Sequence, residues 1–228
     1  MKVMLLAAGK GTRMLPLTAA TPKPLLKVGG LSLIEHQILK LKATGFVDFV
    51  INHAWLGMQI EQALGDGSRY GVRIAWSREE EPLETAGGIV QALPLLGAEP
   101  FLIVNADIWT DFPFAELKTA LPAGGLAHLV LVPNPSHHPR GDFVLHADRQ
   151  LALPAPPNDS TFTYSGIAVY HPSLFANVSE RKYPLLPLLK QAIAENKATA
   201  QVHRGQWLDI GTPERLQELD SQLANASS

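Results

Sequence analysis

The chain has 228 residues, enough for one large domain or two small ones, and 46% hydrophobic with 18% charged residues is typical of a soluble globular protein. A formal net charge of −2 argues against a nucleic-acid-coating protein, and the absence of cysteine excludes disulfides, thiolate nucleophiles and cysteine-bound metal clusters. No apolar run reaches the ~20 residues of a membrane-spanning helix, and the first apolar run is too short for a secretory signal. We therefore expect a cytoplasmic protein with neither a membrane nor a nucleic acid as partner.

Short apolar runs alternate with amphipathic segments over the first 135 residues. The predicted strands lie at 2–8, 47–52, 72–77, 101–107 and 127–133, and the predicted helices at 32–45, 55–67, 85–96 and 113–121. Ser32 can cap the first helix, with Glu35 three residues later, and Gly45 can end it. Strands that alternate with helices predict a mostly parallel sheet with helices on both faces.

The pattern changes after residue 135. It predicts a hairpin at 142–153, a strand at 162–171, a helix at 184–196, an antiparallel pair within 199–211 and a final helix at 212–224. We expect a single α/β domain, 1–228, with a nucleotide-type half at 1–135 and a second half, 136–228, that completes the sheet. Ligands of open α/β sheets bind at the carboxyl ends of the strands, so the candidate loops are 8–24, 77–88, 105–111 and 204–212.

The first of these loops has the composition of an anion site. Residues 5–25, LAAGKGTRMLPLTAATPKPLL, fail the P-loop template and also the dinucleotide template, which would need a third glycine. In a longer loop, the N–H groups of Gly9, Gly11 and Thr12 can wrap phosphates while Arg13 adds a two-pronged contact. The alternative is a glycine turn with solvated cations, but the prolines on both sides of Lys23 restrict it more than a solvated lysine requires.

This stretch resembles the N-terminal signature of the sugar-1-phosphate nucleotidylyltransferases, LAAGxGTRLxPLTxxxPKPLLxVxxxPLI. The resemblance implies a Rossmann-like fold of the nucleotide-diphospho-sugar transferase type, with a mixed, mostly parallel sheet. In this family the glycine loop binds the nucleoside triphosphate, the arginine meets its β- and γ-phosphates, and the lysine stabilises the reacting phosphate. The implied UTP-binding residues are Ala8, Gly9, Gly11, Thr12, Arg13 and Lys23, and of these Arg13 and Lys23 are also implied to be catalytic.

Two acidic residues a hundred positions apart match further family motifs. FLIVNAD ends in Asp107, and WLDIGTPERL contains Asp209. Each alone is an ordinary strand-end or turn residue, although Mg²⁺ typically takes one or two carboxylates and fills its remaining positions with water and phosphate. The resemblance implies that both aspartates hold Mg²⁺, that Asp107 is also catalytic, and that Asn105 lies near the ribose or the sugar.

The segment EEEPLETAGGIVQAL resembles the part of the family sequence that contacts the base and the sugar. It implies Glu80 and Gly87 as UTP contacts. The family has glycine where this chain has Glu84, which leaves open whether Glu84 touches the base or ribose or points to solvent.

The second half contains the expected sugar contacts and one departure from the family. PRGDFVL implies Gly141 as a sugar contact, and YSGIAVYH implies Ser165 and Gly166. The family's E-K-P, whose lysine binds the sugar phosphate, is absent from LALPAPPNDST at 151–161, so another cation must replace it. We take Arg204 as a sugar-binding candidate, and the other replacement cations left open are Arg140, Arg181 and Lys182.

The resemblance implies a nucleotidyl transfer in which a sugar 1-phosphate attacks the α-phosphorus of UTP and pyrophosphate leaves. The short length and the missing E-K-P resemble the members that act on N-acetylmuramate 1-phosphate in cell-wall sugar recycling. A mannose- or glucose-1-phosphate nucleotidylyltransferase is the nearest alternative, and a non-catalytic sugar-nucleotide sensor or an NAD-dependent oxidoreductase is more distant. We expect a monomer with Mg²⁺ as its cofactor and UTP and a sugar 1-phosphate as its ligands.

Overall fold

A computed structural model describes residues 1–154 and 160–226. In chain order the strands are β1 (Val3–Leu6), β2 (Lys27–Val28), β3 (Leu31–Ser32), β4 (Asp48–His53), β5 (Arg73–Arg78), β6 (Phe101–Asn105), β7 (Ile108–Thr110), β8 (Ala127–Val132), β9 (Phe143–Leu145), β10 (Leu151–Ala152), β11 (Thr161–Tyr170), β12 (Ala198–Val202) and β13 (Trp207–Asp209). The α-helices are α1 (Leu33–Ala43), α2 (Gly57–Leu64), α3 (Glu84–Leu96), α4 (Leu186–Ala194) and α5 (Pro213–Ala226). Short 3₁₀ turns lie at Thr12–Met14, Leu17–Ala19, Lys23–Leu25, Ser68–Tyr70, Phe114–Thr119 and Pro172–Phe175.

The central sheet is mixed and contains strands from both halves of the chain. Strands β5, β4, β1 and β6 lie side by side in that order and are all parallel. β11 runs antiparallel between β6 and β8, and β12 pairs with β8 in parallel. This arrangement confirms the predicted mixed sheet, and it brings the carboxyl ends of β1, β4, β5 and β6 to one edge.

Helices cover both faces of the sheet, as alternate residues of β1 demonstrate. Val3 and Leu5 pack in one buried cluster with α1, α2 and the 114–119 turn, whereas Met4 packs in another with α3 and α4. Successive side chains of a strand point to opposite faces, so the two clusters lie on opposite sides of the sheet. The uninterrupted apolar runs of these strands follow from burial on both faces.

A third apolar cluster attaches the C-terminal helix to the loop region at the N-terminus. Ile210 and Leu219 pack with Met14, Leu26 and Leu33. Asp220 of α5 accepts a hydrogen bond from the Gly29 N–H at 2.8 Å. The end of the chain is thereby fixed beside the loop that begins near its start.

The first predicted helix cap is present with both of its hydrogen bonds. The Ser32 hydroxyl accepts from the Glu35 N–H, and the Glu35 carboxylate accepts from the Ser32 N–H at 2.9 Å. Burial by itself raises the pKa of Glu35, but hydrogen bonds from Ser32, Tyr70 and Arg69 outweigh it and lower the pKa to about 2. The signal Ser-x-x-Glu thus identified the start of α1, and Glu35 also joins this helix to the 68–70 turn.

Three local predictions were wrong. The predicted helix at 113–121 is a 3₁₀ turn in which Phe114 and Leu117 are both buried, because a period of three places them on one side. The predicted antiparallel pair within 199–211 does not form; instead β12 joins β8 in parallel and β13 pairs antiparallel with β7. Strand β7 itself, expected as part of a loop, forms only because β13 provides its partner.

The predicted hairpin at 142–153 forms as β9 and β10. Of the stretch at 151–161 where the family's E-K-P is missing, residues 155–159 lie outside the described residues. Within the described part of the chain, no helix combines the length and apolar character needed to cross a membrane.

Candidate active site

The carboxyl ends of the parallel strands form the floor of a cleft of about 240 Å³. β1 contributes residues 6–9, β4 contributes Asn52, and the end of β6 contributes Asn105 and Asp107. Lys23 and its neighbouring proline form one wall, and residues 82–85 at the start of α3 form another. The cleft therefore lies where the loops at 8–24, 77–88 and 105–111 were expected to meet.

A second cavity, of about 490 Å³, adjoins this cleft. Its polar lining includes Thr85, Asn105, Asp142 and Tyr164, and Thr85 and Asn105 belong to the lining of both cavities. The remaining lining residues are Gly141, Phe143, Leu185, Leu186 and Leu189. Two ligands that occupy the two cavities would therefore meet near Asn105, at the end of β6.

Lys23 and Asp107 form an ion pair in the first cavity. The Lys23 side chain is buried, with only 10% of its surface exposed, whereas that of Asp107 is 38% exposed. A buried ammonium is costly unless it is paired, so Asp107 stabilises Lys23 in this position. The pair places one positive and one negative group beside the glycine loop.

The glycine loop is shaped by Gly11 and leaves space at Gly9. Gly11 has φ +63°, and a Cβ there would lie 3.0 Å from Thr18 Cγ2 and 3.2 Å from Lys23 Cβ. The Thr18 hydroxyl donates to the Gly11 carbonyl at 2.8 Å and closes the loop. A Cβ at Gly9 would meet nothing within 4 Å, so the backbone there faces open space and can be approached closely by a ligand.

Ala8, Gly9 and Lys23 line the cleft, as predicted for UTP-binding residues, but other predicted loop residues do not. Thr12 and Arg13 are exposed on the 3₁₀ turn that follows Gly11. The Arg13 guanidinium makes no hydrogen bond or ion pair with any described residue. The structure thus places the loop backbone and Lys23 at the cleft, with Arg13 on a turn outside its lining.

Asp209 lies next to Asp107 through backbone pairing. β13 pairs with β7, and the Ile210 N–H donates to the Asp107 carbonyl at 2.8 Å. The Asp209 carboxylate forms an ion pair with Arg215 and lies 2.9 Å from His137 Nε2. The two aspartates, separated by a hundred residues in sequence, are therefore backbone neighbours, and of the two only Asp107 belongs to the lining of the cleft.

The two aspartates are a suitable donor set for Mg²⁺. Asp209 Oδ1 is buried and lacks a hydrogen bond of proper geometry, although the Arg215 guanidinium and the His137 ring both lie within ion-pair distance of it. No group of three or more His, Asp or Glu side chains within the described ranges could hold a metal. Mg²⁺ usually takes one or two carboxylates together with water and substrate phosphates, which is the ligand number that Asp107 and Asp209 provide.

A buried network that the sequence did not indicate connects the strand ends. Asn52 accepts from the Ala7 N–H at 3.0 Å and donates to Glu79 at 2.6 Å. Glu79 also accepts from the Leu83 N–H at 3.0 Å, and burial raises its pKa. The network holds the glycine loop, β4, β5 and the start of α3 in fixed relative positions.

Two predicted UTP contacts, Glu80 and Gly87, lie outside the cleft lining. The Glu80 side chain is 85% exposed and pairs with Arg181 at 2.8 Å, while the preceding residue, Glu79, reaches the cleft. A Cβ at Gly87 would lie 2.4 Å from the Arg181 carbonyl, so this glycine is required by packing against the 181–183 segment. Glu79 rather than Glu80 therefore lines the cleft, and the role of Glu80 as a UTP contact stays a prediction.

Some of the predicted sugar contacts line the second cavity, and others do not. Gly141 and Asn105 line the second cavity. Ser165 is buried and donates to the Val130 carbonyl at 2.7 Å within an irregular part of β11, so it does not reach the cavity. Gly166, at φ +80°, leaves room for the Asn105 side chain, whose Nδ2 would lie 2.6 Å from a Cβ at that position.

None of the predicted replacement cations lines either cavity. Arg204 is exposed on the turn between β12 and β13, and Arg181 is paired with Glu80 at the surface. Arg215 is the cation that the structure adds, since it lies beside Asp209 and donates to its carbonyl oxygen at 3.1 Å. Its only sequence signal was its position in the WLDIGTPERL motif.

The residues that sequence reasoning missed share a common position. Asn52 and Glu79 end or follow a parallel strand, as Asn105 does at the end of β6. A search for polar residues at every strand end would have found both, whereas Tyr164, Asp142 and His137 have no such signal. These three reach the site only through the packing of the second half of the chain.

Comparison with known proteins agrees with this geometry. The family model described as nucleotidyl transferase matches residues 2–226. The chain is 52% identical to an N-acetylmuramate alpha-1-phosphate uridylyltransferase of Neisseria meningitidis serogroup B, with 99% of each chain covered. It is 31% identical to a protein of the same description from Caulobacter vibrioides, which covers 98% of this chain and 97% of the relative.

More distant relatives share part of their length or the fold alone. The chain is 30% identical to a mannose-1-phosphate guanyltransferase of Schizosaccharomyces pombe, of which it spans 61%. A structure from Bacillus anthracis, described as a glucose-1-phosphate thymidylyltransferase with sucrose, has a TM-score of 0.84 at 22% identity and covers 98% of this chain and 95% of its own. HddC from Yersinia pseudotuberculosis has a TM-score of 0.79 at 18% identity, with 97% and 98% covered. These matches, together with the cleft described above, show that the chain belongs to the nucleotidyl transferase family.

Proposed function

We propose that this protein transfers the uridylyl group of UTP to N-acetylmuramate 1-phosphate and releases pyrophosphate. The geometric observation that carries the proposal is the buried Lys23–Asp107 pair at a cleft that shares Thr85 and Asn105 with a second cavity. Two adjoining cavities suit two substrates that react with each other. The identity of these substrates follows from the relative with 52% identity over nearly the whole of both chains.

The proposed reaction requires positioning and charge neutralisation more than proton transfer. A phosphate oxygen of the sugar phosphate is already anionic, so it needs no protein base to attack the α-phosphorus in line. Lys23 would stabilise the α-phosphoryl oxygens, because its ammonium is held at the cleft by a carboxylate rather than by solvent. The N–H groups at residues 9–11 and the guanidinium of Arg13 would meet the leaving pyrophosphate.

The proposal includes Mg²⁺ held by Asp107 and Asp209. The chemistry that Mg²⁺ would supply in such a site is the neutralisation of phosphate charge. Both aspartates are paired with a cation of this chain, Asp107 with Lys23 and Asp209 with Arg215. These cations must therefore adjust when the metal and the substrate phosphates bind, and they are then available to contact phosphate oxygens.

The second cavity is proposed to hold the sugar. Asn105, Asp142 and the Gly141 backbone offer hydrogen bonds to hydroxyl and amide groups, while Phe143 and three leucines offer apolar surface. Such a mixed lining suits a sugar that carries acetyl and lactyl methyl groups. We extend the proposal to a nucleotide-binding half at 1–135, a sugar-binding half at 136–228, and a monomer that works in the cytoplasm in cell-wall sugar recycling.

A pyrophosphate-release assay tests the proposal. The purified protein is supplied with UTP, GTP, CTP, ATP or dTTP, each with N-acetylmuramate, mannose or glucose 1-phosphate, with Mg²⁺ or with EDTA. We expect the highest kcat/KM for UTP with N-acetylmuramate 1-phosphate and no turnover with EDTA. Preference for GTP with mannose 1-phosphate would support the second candidate suggested by the guanyltransferase relatives, and no pyrophosphate in any combination would refute the proposed function.

A further inference from the structure

Glu84, the first residue of α3, has a backbone conformation that is unusual for its residue type. Its φ is +61°, in the left-handed region where side chains other than glycine are disfavoured by contact with the backbone. Glu84 also lines the cleft that contains Lys23 and Asp107. Non-glycine residues in this conformation cluster at active sites and ligand clamps, where the surrounding structure holds them in place.

The backbone on both sides of Glu84 is held by hydrogen bonds, from the Leu83 N–H to Glu79 and from the Ala86 N–H to the Tyr183 carbonyl, but no contact of the Glu84 side chain requires this conformation. The Glu84 side chain is exposed, and it forms no hydrogen bond or ion pair with the residues that the structure describes. Glycine would fit the same backbone without strain. The carboxylate is therefore unpartnered in the free protein, although it lies in a cleft.

The cleft is electrostatically divided between its two walls. On one wall lie the Lys23 ammonium, which is paired with the Asp107 carboxylate, and the backbone of Gly9, which has no hydrogen-bond partner among the described residues. On the other wall lie two carboxylates, those of Glu79 and Glu84. A nucleoside triphosphate carries its negative charge at one end only, so its phosphates belong on the first wall.

The N-terminus of α3 offsets the charge of the second wall only in part. The N–H groups of Ala86 and Gly87 both donate to the Tyr183 carbonyl, at 3.0 and 3.1 Å. The Leu83 N–H donates to Glu79. The N–H groups of Leu83, Ala86 and Gly87 are therefore already used, whereas those of Glu84 and Thr85 have no partner among the described residues.

We propose that the Glu84 carboxylate accepts a hydrogen bond from the nucleoside part of the triphosphate, either a ribose hydroxyl or an N–H of the base. The inference rests on the proposed function. Glu84 is then a specificity-determining residue that orients the nucleotide, because its charge also repels phosphates from this wall. Its left-handed backbone holds the carboxylate at the cleft.

Isothermal titration of UTP with Mg²⁺ and without any sugar phosphate tests the proposal, since no turnover occurs. The variants are Glu84→Gly and Glu84→Gln, and Glu81→Gln is the control, because Glu81 is exposed on the same segment and lies outside the cleft lining. We expect Glu84→Gly to raise the Kd for UTP by about tenfold or more, the effect of one hydrogen bond to a charged group. Glu84→Gln keeps a weaker acceptor and should show a smaller loss, and Glu81→Gln should bind as the wild type does.

Simple electrostatics predicts the opposite sign, which makes the experiment decisive. If Glu84 were only a charge near the phosphates, its removal would tighten the binding of a polyanion. Unchanged or tighter UTP binding by Glu84→Gly would therefore overturn the proposal. The melting temperature of Glu84→Gly should equal or exceed that of the wild type, because glycine accepts φ +61°. A clearly lower melting temperature would indicate a structural role and would also overturn it.

Analogues identify the hydrogen-bond donor and separate this inference from the proposed function. If the donor is a ribose hydroxyl, the penalty of Glu84→Gly disappears with 2′-deoxy-UTP or 3′-deoxy-UTP. If it is the uracil N3–H, the penalty disappears with CTP, which lacks a proton at that position. A penalty that persists with all three analogues would overturn the proposal.

Failure of the wild type to bind UTP would overturn the proposed function as well, whereas wild-type binding that Glu84→Gly leaves unchanged would overturn this inference alone.

Discussion

Alanine at Gly9 and alanine at Gly11 should affect this protein in different ways, although the two glycines are only two residues apart. Gly11 has φ +63°, and an added Cβ would lie 3.0 Å from Thr18 and 3.2 Å from Lys23. Gly9 is outside the left-handed region, and an added Cβ would meet nothing within 4 Å. We therefore predict that Gly11→Ala damages the fold and that Gly9→Ala damages ligand binding.

The magnitudes follow from these two environments. The left-handed conformation costs an L-residue about 1–2 kcal/mol, and the close contacts with Thr18 and Lys23 add about 1 kcal/mol. For a chain of this size, a loss of about 2–3 kcal/mol lowers the melting temperature by roughly 5–10 °C. Gly9→Ala should leave the free energy of unfolding unchanged or raise it by up to about 1 kcal/mol, because alanine restricts the unfolded chain. Its methyl group would fill space that phosphates approach, and a tenfold weaker Kd for UTP corresponds to about 1.4 kcal/mol.

Thermal unfolding and titration with UTP measure both quantities on the same preparations. Gly30→Ala is a matched control, because Gly30 has φ +85° but no atom within 4 Å of an added Cβ, and it lies outside both cavities. This control should show only the backbone cost, about 1–2 kcal/mol, with normal UTP binding. The reasoning is refuted if Gly9→Ala binds UTP as tightly as the wild type, or if Gly11→Ala is no less stable than Gly30→Ala.

Three further predictions follow from the site and the packing. Asp107→Ala or Asp209→Ala should lower Mg²⁺-dependent pyrophosphate release at least about 100-fold, measured at saturating UTP. Glu35→Gln should lower the free energy of unfolding by up to about 3 kcal/mol at pH 7, because the pKa of Glu35 is lowered to about 2. The difference between the Glu35 variant and the wild type should shrink in urea unfolding as the pH falls from 4.5 towards 2, where the carboxylate becomes protonated in both states. Gly87→Ala should lower the free energy of unfolding by about 1–3 kcal/mol, because its Cβ would lie 2.4 Å from a backbone carbonyl.

Each of these predictions has a contrary outcome. Near-normal turnover of either aspartate variant would contradict the metal assignment. A stability difference between the Glu35 variant and the wild type that does not change with pH would mean that the charge of Glu35 contributes nothing. Full stability of Gly87→Ala together with lost UTP binding would restore Gly87 as a ligand contact.

Much of the fold could be predicted because its signals are local. Uninterrupted apolar runs indicated the strands of the parallel block, and Ser32 with Glu35 indicated the start of α1. Such signals depend on residues within a few positions of one another, which burial and capping constrain directly. The 113–121 segment was wrongly predicted to be an α-helix. The spacing of its two buried side chains, Phe114 and Leu117, fits both the α-helical and the 3₁₀ period.

The site was predictable where a motif and a strand end coincide. Asn105 and Asp107 follow this rule, whereas Lys23 was indicated by the motif alone, and the structure brings all three to the cleft. Glu80 and Gly87 do not line it, because the direction of a loop side chain depends on what packs behind it. Here Glu80 is turned outward to Arg181, and Glu79 is turned inward to Asn52.

The sequence by itself determined the alternation of strands and helices, the glycine loop with its restrained lysine, and the presence of Asp107 and Asp209. Only the tertiary structure decided that the two aspartates are neighbours, because β13 lies outside the main sheet and pairs with β7 in a separate two-stranded sheet. It also decided that Arg215 rather than Arg204 lies beside Asp209, and that Glu84 holds a left-handed backbone at the cleft. The physical reason is that these contacts join segments far apart in the chain, and their geometry is fixed by how whole elements pack together.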